Sequence, residues 1–332
     1  MKKIQSILIV CLLVALCFCG CGGTEEADAN TSELTDITFV LDWTPNTNHT
    51  GLYVALANGW FEEEGLNVSI VQPPEDGAAL MVASGRAQFG VDFQDYLAAA
   101  YGTEEPLPVT AVAAILQHNT SGIVSLAEKG IDSPVKMEGY TYATWDLPIE
   151  KAMLEKLITD DGGNFDNVEL VPSTVTDIVS ALQANIDCVW IYYGWDGIAL
   201  EQAGLETNFF RFSDLDPAFD FYSPVIIAND AFLADDPETA KAFLRAAKRG
   251  YEYAAEHPEE AAAILCEQVP ELDPELIGES QKWLSEQYIA DADTWGVIDG
   301  DRWNAFYGWL NENGLVEFEI PADHGYTNDF LE

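Results

Sequence analysis

The sequence predicts an α/β protein of two lobes, and three observations carry that prediction. Short apolar runs alternate with segments of helical periodicity from residue 37 onward. The alternation comes as two separate sets, and the chain beyond residue 228 is almost wholly helical. Hydrophobic residues make up 48% of the 332 and include nine Trp. That is ample for a core, since disorder needs low hydrophobicity together with high charge.

The elements follow in order. The first set reads as strands at 37–41, 66–71, 88–91 and 109–116, with helices at 52–63, 78–83 and 96–101. The second set has strands at 140–143, 168–171 and 187–192, with helices at 149–159 and 176–184. A strand at 221–228 returns the chain, and helices at 237–257, 258–267, 274–288 and 300–313 complete it. The second lobe (119–225) is thus inserted into the first (37–118 and 226–332), with crossings expected near 117–122 and 221–225.

Ahead of the lobes, Lys2 and Lys3 precede an apolar run at 4–18. Roughly 15 residues is short of the ~20 needed to span a membrane and fits a secretory signal. The run ends in CFCGCGG (17–23), where Gly20–Cys21 resembles a lipoprotein processing site. This gives a signal peptide at 1–20, a lipid on Cys21, and a polar tether at 21–36 that holds the protein at the outer face of the membrane. Of the six Cys only Cys188 and Cys266 lie in the body, too few for a disulfide framework, and both are expected as buried thiols.

Fifty-seven acidic residues against 14 basic ones give a net charge of −43. Nucleic-acid binding, which depends on Lys and Arg displacing phosphate counterions, is excluded. The charge reads as a solvated coat that keeps the protein monomeric and repels itself, and is best tolerated where salt screens it.

Open α/β sheets bind ligands at the carboxyl ends of their strands, so the strand exits are where function is sought. The first exit carries Asp42, Trp43, Asn46, Asn48 and His49, and the third carries Asp92 and Tyr96. In the second set, Trp145 and Asp146 follow one strand, and Tyr192, Tyr193, Trp195 and Asp196 follow another. Rings to stack on beside carboxylates that accept from N–H donors suit a flat, nitrogen-rich small molecule. Tyr222 sits at the second crossing and is placed at the cleft. Trp190 is read as core, Glu150 as a surface charge, and Trp283, Trp295, Trp303 and Trp309 as packing. There is no GxSxG, P-loop or HExxH, and no CxxC in the body; catalytic residues, metal and cofactor are all expected to be none.

The stretch LDWTPNTNHTGLYVA (41–55), followed by GWF (59–61) and EGL (64–66), resembles the thiamine-pyrimidine family of type II periplasmic binding proteins. ASGRAQFGV (83–91) extends the likeness, which runs to about residue 310. That family holds solute receptors of ABC importers for pyrimidine precursors of thiamine, and a synthase that makes the pyrimidine from pyridoxal phosphate and its own histidine. The departures favour the receptor. Asp92 stands where the synthase has its lysine, and Tyr96 where it has the sacrificial histidine. A carboxylate cannot form an aldimine. No Cys lies at 218–222, where the synthase's cysteine-rich motif would fall, and its phosphate loop would fall at 144–148, where Asp146 repels phosphate. The resemblance therefore implies a lipoprotein that hands unphosphorylated hydroxymethylpyrimidine or formylaminopyrimidine to a permease. Trp43 or Trp195 would stack on the ring. Riboflavin is the alternative ligand, and a synthase-type enzyme the alternative class.

Overall fold

The structure, a computed structural model, describes residues 34–332. The expected signal peptide, Cys21 and all but the last three residues of the expected tether lie outside them. Among the described residues no helix is long and apolar enough to cross a membrane.

Ten strands form two five-stranded sheets. They are β1 (Thr35–Val40), β2 (Leu66–Val71), β3 (Phe89–Asp92), β4 (Val109–Ala114), β5 (Ser121–Leu126), β6 (Thr141–Thr144), β7 (Glu169–Pro172), β8 (Cys188–Tyr192), β9 (Thr207–Arg211) and β10 (Val225–Asn229). The longer helices are α1 (Thr50–Ala57), α2 (Gln94–Tyr101), α3 (Pro148–Asp160), α4 (Pro237–Glu256), α5 (Pro258–Gln268), α6 (Pro274–Leu284) and α7 (Gly300–Glu312). One sheet has the order β2-β1-β3-β10-β4 and the other β7-β6-β8-β5-β9. In each, one strand runs antiparallel to its neighbours: β10 between β3 and β4, and β5 between β8 and β9. These are the strands that follow a crossing, so every passage between sheets delivers the reversed strand of the sheet it enters.

Several boundaries differ from the sequence reading, for local reasons. Thr35 and Asp36, assigned to the tether, already pair with Leu66 and Asn67 in β1. The helix expected over 52–63 is two, because Gly59 takes a left-handed φ of 72° that ends one and starts the next. Strands β5 and β9 were not anticipated. Gly122 in β5 lowers strand propensity, yet a Cβ there would lie 2.3 Å from the Phe210 carbonyl of β9. The close approach of the two strands therefore requires the glycine.

The core of the first lobe is aromatic. Phe243 of α4 stacks on Phe89 at 4.1 Å and on Phe61 at 5.1 Å, which seats the helix on the sheet. Beside it α1 and α4 cross with almost no side chain between them, since a Cβ at Gly250 would meet the Gly51 carbonyl at 2.0 Å. This crossing anchors the start of α1, and with it the loop that precedes it. In the second lobe β8 alternates strictly. Cys188 and Trp190 face one cluster, Val189 and Ile191 the other. Cys188 is buried as expected, whereas Cys266 is only partly so.

The crossings are tied together by charge. His118, on the first crossing, meets Asp220 of the second at 2.7 Å through Nδ1 and Asp291 of the C-terminal segment at 3.0 Å through Nε2. Two carboxylate partners require both ring nitrogens to donate, hence the imidazolium. The Asp220 hydrogen bond is the main cause of a pKa raised above the ordinary 6.5. Asp220 also accepts from the Asn119 backbone at 3.0 Å and faces Arg302 at 3.4 Å. The C-terminal segment runs on along the open edge of β4, where Ala111 donates to Gly325 and accepts from Thr327.

Candidate functional site

Loop 42–49 is built by its own hydrogen bonds. Asn46 caps the short helical turn after it, accepting from the Asn48 backbone at 2.9 Å. Its own N–H donates to His49 Nδ1 at 3.1 Å, so the imidazole proton sits on Nε2 and is donated to Asp42 at 2.6 Å. His49 is fully buried and orients Asp42, with no face left for a ligand. Tyr251 donates to the Asn48 carbonyl and Tyr288 to that of Thr47, which fixes the loop to α4 and the C-terminal region. Trp43, by contrast, is 52% exposed and free to take a partner.

A cavity of about 450 Å³ lies between the two lobes. The first lobe supplies Asp95, Tyr96 and Ala99 from α2; the second supplies residues 145 and 147–150 from the β6–α3 junction and Trp190 from β8. Trp145 and Trp190 lie 5.6 Å apart, and Phe93 bridges from Tyr96 to Tyr192 with centroid distances of 5.4 and 5.8 Å. None of the lining side chains is basic.

Burial dominates the electrostatics here. It lifts Asp92 and Asp95 from 3.8 to about 7, and Asp196, which does not line the cavity, to about 6. Backbone N–H groups of Phe93 and Tyr192 act against the shift at Asp92 and Asp196. Tyr96 is pushed well above its ordinary value, first by burial and then by Asp95, Asp92, Glu150 and Asp42, four carboxylates around one phenol. One oxygen of Asp95 and the indole N–H of Trp190 are buried without a partner. Such a site favours ligands that donate hydrogen bonds and disfavours anions.

The expected residues divide on inspection. Tyr96 and Trp145 line the cavity, and Asp92, Tyr192 and Phe93 stand behind Tyr96. Asp146 does not line it. It takes a left-handed φ of 65°, is exposed, and pairs with Lys151. Tyr193 packs on Phe209 and Trp283 at 4.9 and 5.3 Å, within a different groove. Trp195 packs with Tyr53, Leu265 and Ile277 of the first lobe. Tyr222 is fully buried, accepting from the Asp299 backbone at 2.7 Å beneath Arg302, so the structure removes it from the cleft.

Two readings of the sequence are corrected. Trp190, read as core pointing away from the crevice, is core, 4% exposed within the main apolar cluster, but its ring also forms part of the cavity wall. The missed signal is period two along β8: Trp190 shares a face with Tyr192, which was already placed at the cleft. Glu150, taken as a surface charge, is 3% exposed and accepts from Tyr142, Thr144 and the Trp145 and Leu147 backbones at 2.7 to 3.2 Å. Its signal was the proline at the first helical position, which puts Glu150 at the third, where a carboxylate reaches back to free N–H groups.

Two α/β lobes with mixed sheets around a central cleft are the architecture of the periplasmic solute-binding proteins. The fold is shared with the aliphatic sulphonate binding protein SsuA of Escherichia coli, with a TM-score of 0.67 over 86% of this chain and 89% of that one at 15% identity. Residues 46–261 match the NMT1/THI5-like family, and the chain belongs to it. A formylaminopyrimidine-binding protein of Halalkalibacterium halodurans is 30% identical over 98% of both chains. A 4-amino-5-hydroxymethyl-2-methylpyrimidine phosphate synthase of Candida albicans is 28% identical over 89% of this chain and 88% of its own.

Proposed function

We propose that this chain is the solute receptor of an ABC importer and captures a pyrimidine precursor of thiamine, hydroxymethylpyrimidine or formylaminopyrimidine, in the interlobe cleft. The observation that carries the reading is a cavity walled by Tyr96, Trp145 and Trp190, set among carboxylates and lacking any basic side chain. The 30% identity to a formylaminopyrimidine-binding protein over the full length supports it.

In this reading the ring stacks between Trp145 and Tyr96, with Trp43 closing over it from the loop after β1. Asp92, Asp42 and Asp196 accept from the exocyclic amine, and His49, Asn46 and Asn48 hold that loop in place. Tyr192 braces Tyr96. The lobes exchange at 118/119 and 225/226 and close about these crossings, and the closed form is what the permease engages. Cys21 carries the lipid that holds the protein at the outer membrane face.

The ligand leaves unaltered, because Asp92 occupies the place of the synthase lysine and offers no amine. Tryptophan fluorescence should respond to hydroxymethylpyrimidine and formylaminopyrimidine and less to riboflavin. Silence toward both pyrimidines overturns the ligand, and an aldimine absorbance band with pyridoxal phosphate, lost on replacing a lysine, overturns the receptor.

A further inference from the structure

We propose that Glu150 is the specificity-determining residue that bars anionic forms of the ligand from the cleft. The proposal rests on the pyrimidine-receptor reading and adds to it a charge class and the group that sets it.

The protonation state of Glu150 follows from its partners. The backbone N–H groups of Trp145 and Leu147 can only donate, at 3.1 and 3.2 Å. The Thr144 hydroxyl accepts from the Asp146 N–H at 2.9 Å, which turns its own proton toward Glu150, also at 2.9 Å. With Tyr142 at 2.7 Å, both oxygens are occupied as acceptors and neither has room for a proton. The carboxylate is therefore an anion, and no Lys, Arg or His among the described residues lies within 4.0 Å of it.

Its place gives that charge a consequence. Glu150 lines the cavity and holds the 145–147 turn that forms one wall. Lys151, the nearest cation in sequence, is turned outward to Asp146, so the exposed acid is neutralised and the buried one is not. A phosphate or sulfonate on the ligand would meet an uncompensated negative charge in a low-dielectric site, where like charges repel most strongly. An alcohol or formamide would not.

The test measures affinity for 4-amino-5-hydroxymethyl-2-methylpyrimidine and for its phosphate ester by calorimetry. The wild-type protein should prefer the alcohol by on the order of 100-fold or more, from the cost of apposing like charges. Glu150→Gln, checked by thermal melting, should narrow that ratio at least ~5-fold. Leu147→Lys leaves the Glu150 network intact and should narrow it as well, which covers a Glu150→Gln protein that fails to fold. Asp146→Asn should leave the ratio unchanged. Equal binding of both compounds by the wild type overturns the proposal alone. A ratio unmoved in both folded variants does the same, even if both affinities fall together as a purely structural role would have it. Binding of neither compound overturns the pyrimidine reading itself.

Discussion

The hinge and the cleft use acidic residues in opposite ways. At the hinge, Asp220 and Asp291 surround His118 and Arg302, so every carboxylate has a cation and three segments of chain are tied at distances of 2.7 to 3.4 Å. In the cleft, Asp92, Asp95 and Glu150 crowd one phenol with no cation among the lining side chains, and burial raises two of them toward neutrality. In a chain with 57 acids and 14 bases, cations are scarce, and where they stand is informative. Charge is cancelled where the backbone must hold its course and left uncancelled where a donor-rich guest can supply what is missing.

The sharpest way to break this contrast is Glu150→Ala. Four donors would lose their acceptor, and the variant should lose about 3–5 kcal/mol in urea unfolding. A loss below about 1 kcal/mol would mean that water replaces the carboxylate freely. At the hinge, His118→Gln should cost about 1.5–3 kcal/mol at pH 6, the range for hydrogen bonds to charged groups, and much less at pH 9. In the cleft, Trp145→Ala should weaken ligand binding by about 1–3 kcal/mol, as for other ring-on-ring stacking. Trp195→Ala should lower stability and spare affinity, since Trp195 packs against Tyr53 and Ile277.

Titration separates the two regions by window. Asp92 and Asp95, held at about 7 against 3.8, keep protons that the unfolded chain has already released. Stability therefore falls as pH rises from about 4 to 7. His118 is raised above 6.5, so its contribution is complete below that value and is lost as pH rises through its higher folded pKa. Melting curves from pH 4 to 9 should show a shallower lower slope in Asp92→Asn, where only Asp95 still contributes it, and should lose the upper one in His118→Gln. The smallest effect belongs to the coat. Added NaCl should raise the melting temperature as it screens the exposed carboxylates, and a flat response would show them already well spaced.

Much of this architecture was legible because periodicity reports burial. Strands β2 and β6–β8 and helices α2–α7 lie within a few residues of where the pattern puts them. Strands β5 and β9 were not legible, because β5 carries a glycine demanded by its neighbour, a reason that exists only once both strands are paired. At the site, the rule of strand exits reached Tyr96 and Trp145, which line the cavity, but sent Trp195 there as well, and the place of the second crossing did the same for Tyr222. Whether a ring after a strand turns inward or out depends on what packs behind it. Behind Trp195 lie Leu265 and Ile277, far along the chain. Glu150 was missed for a related cause: a charge near a helix start looks solvated until the turn before it is known to fold back over it.

The placement of β10 has a consequence for how the polypeptide comes into being. Strands β3 and β4 never touch in the finished sheet; the strand at 225–229 lies between them. A nascent chain that has emerged as far as residue 211 contains every strand of the second sheet, whereas the first still lacks the strand that joins β3 to β4. The half of the molecule that begins first is thus the last to be completed, and such long-range closure is slow.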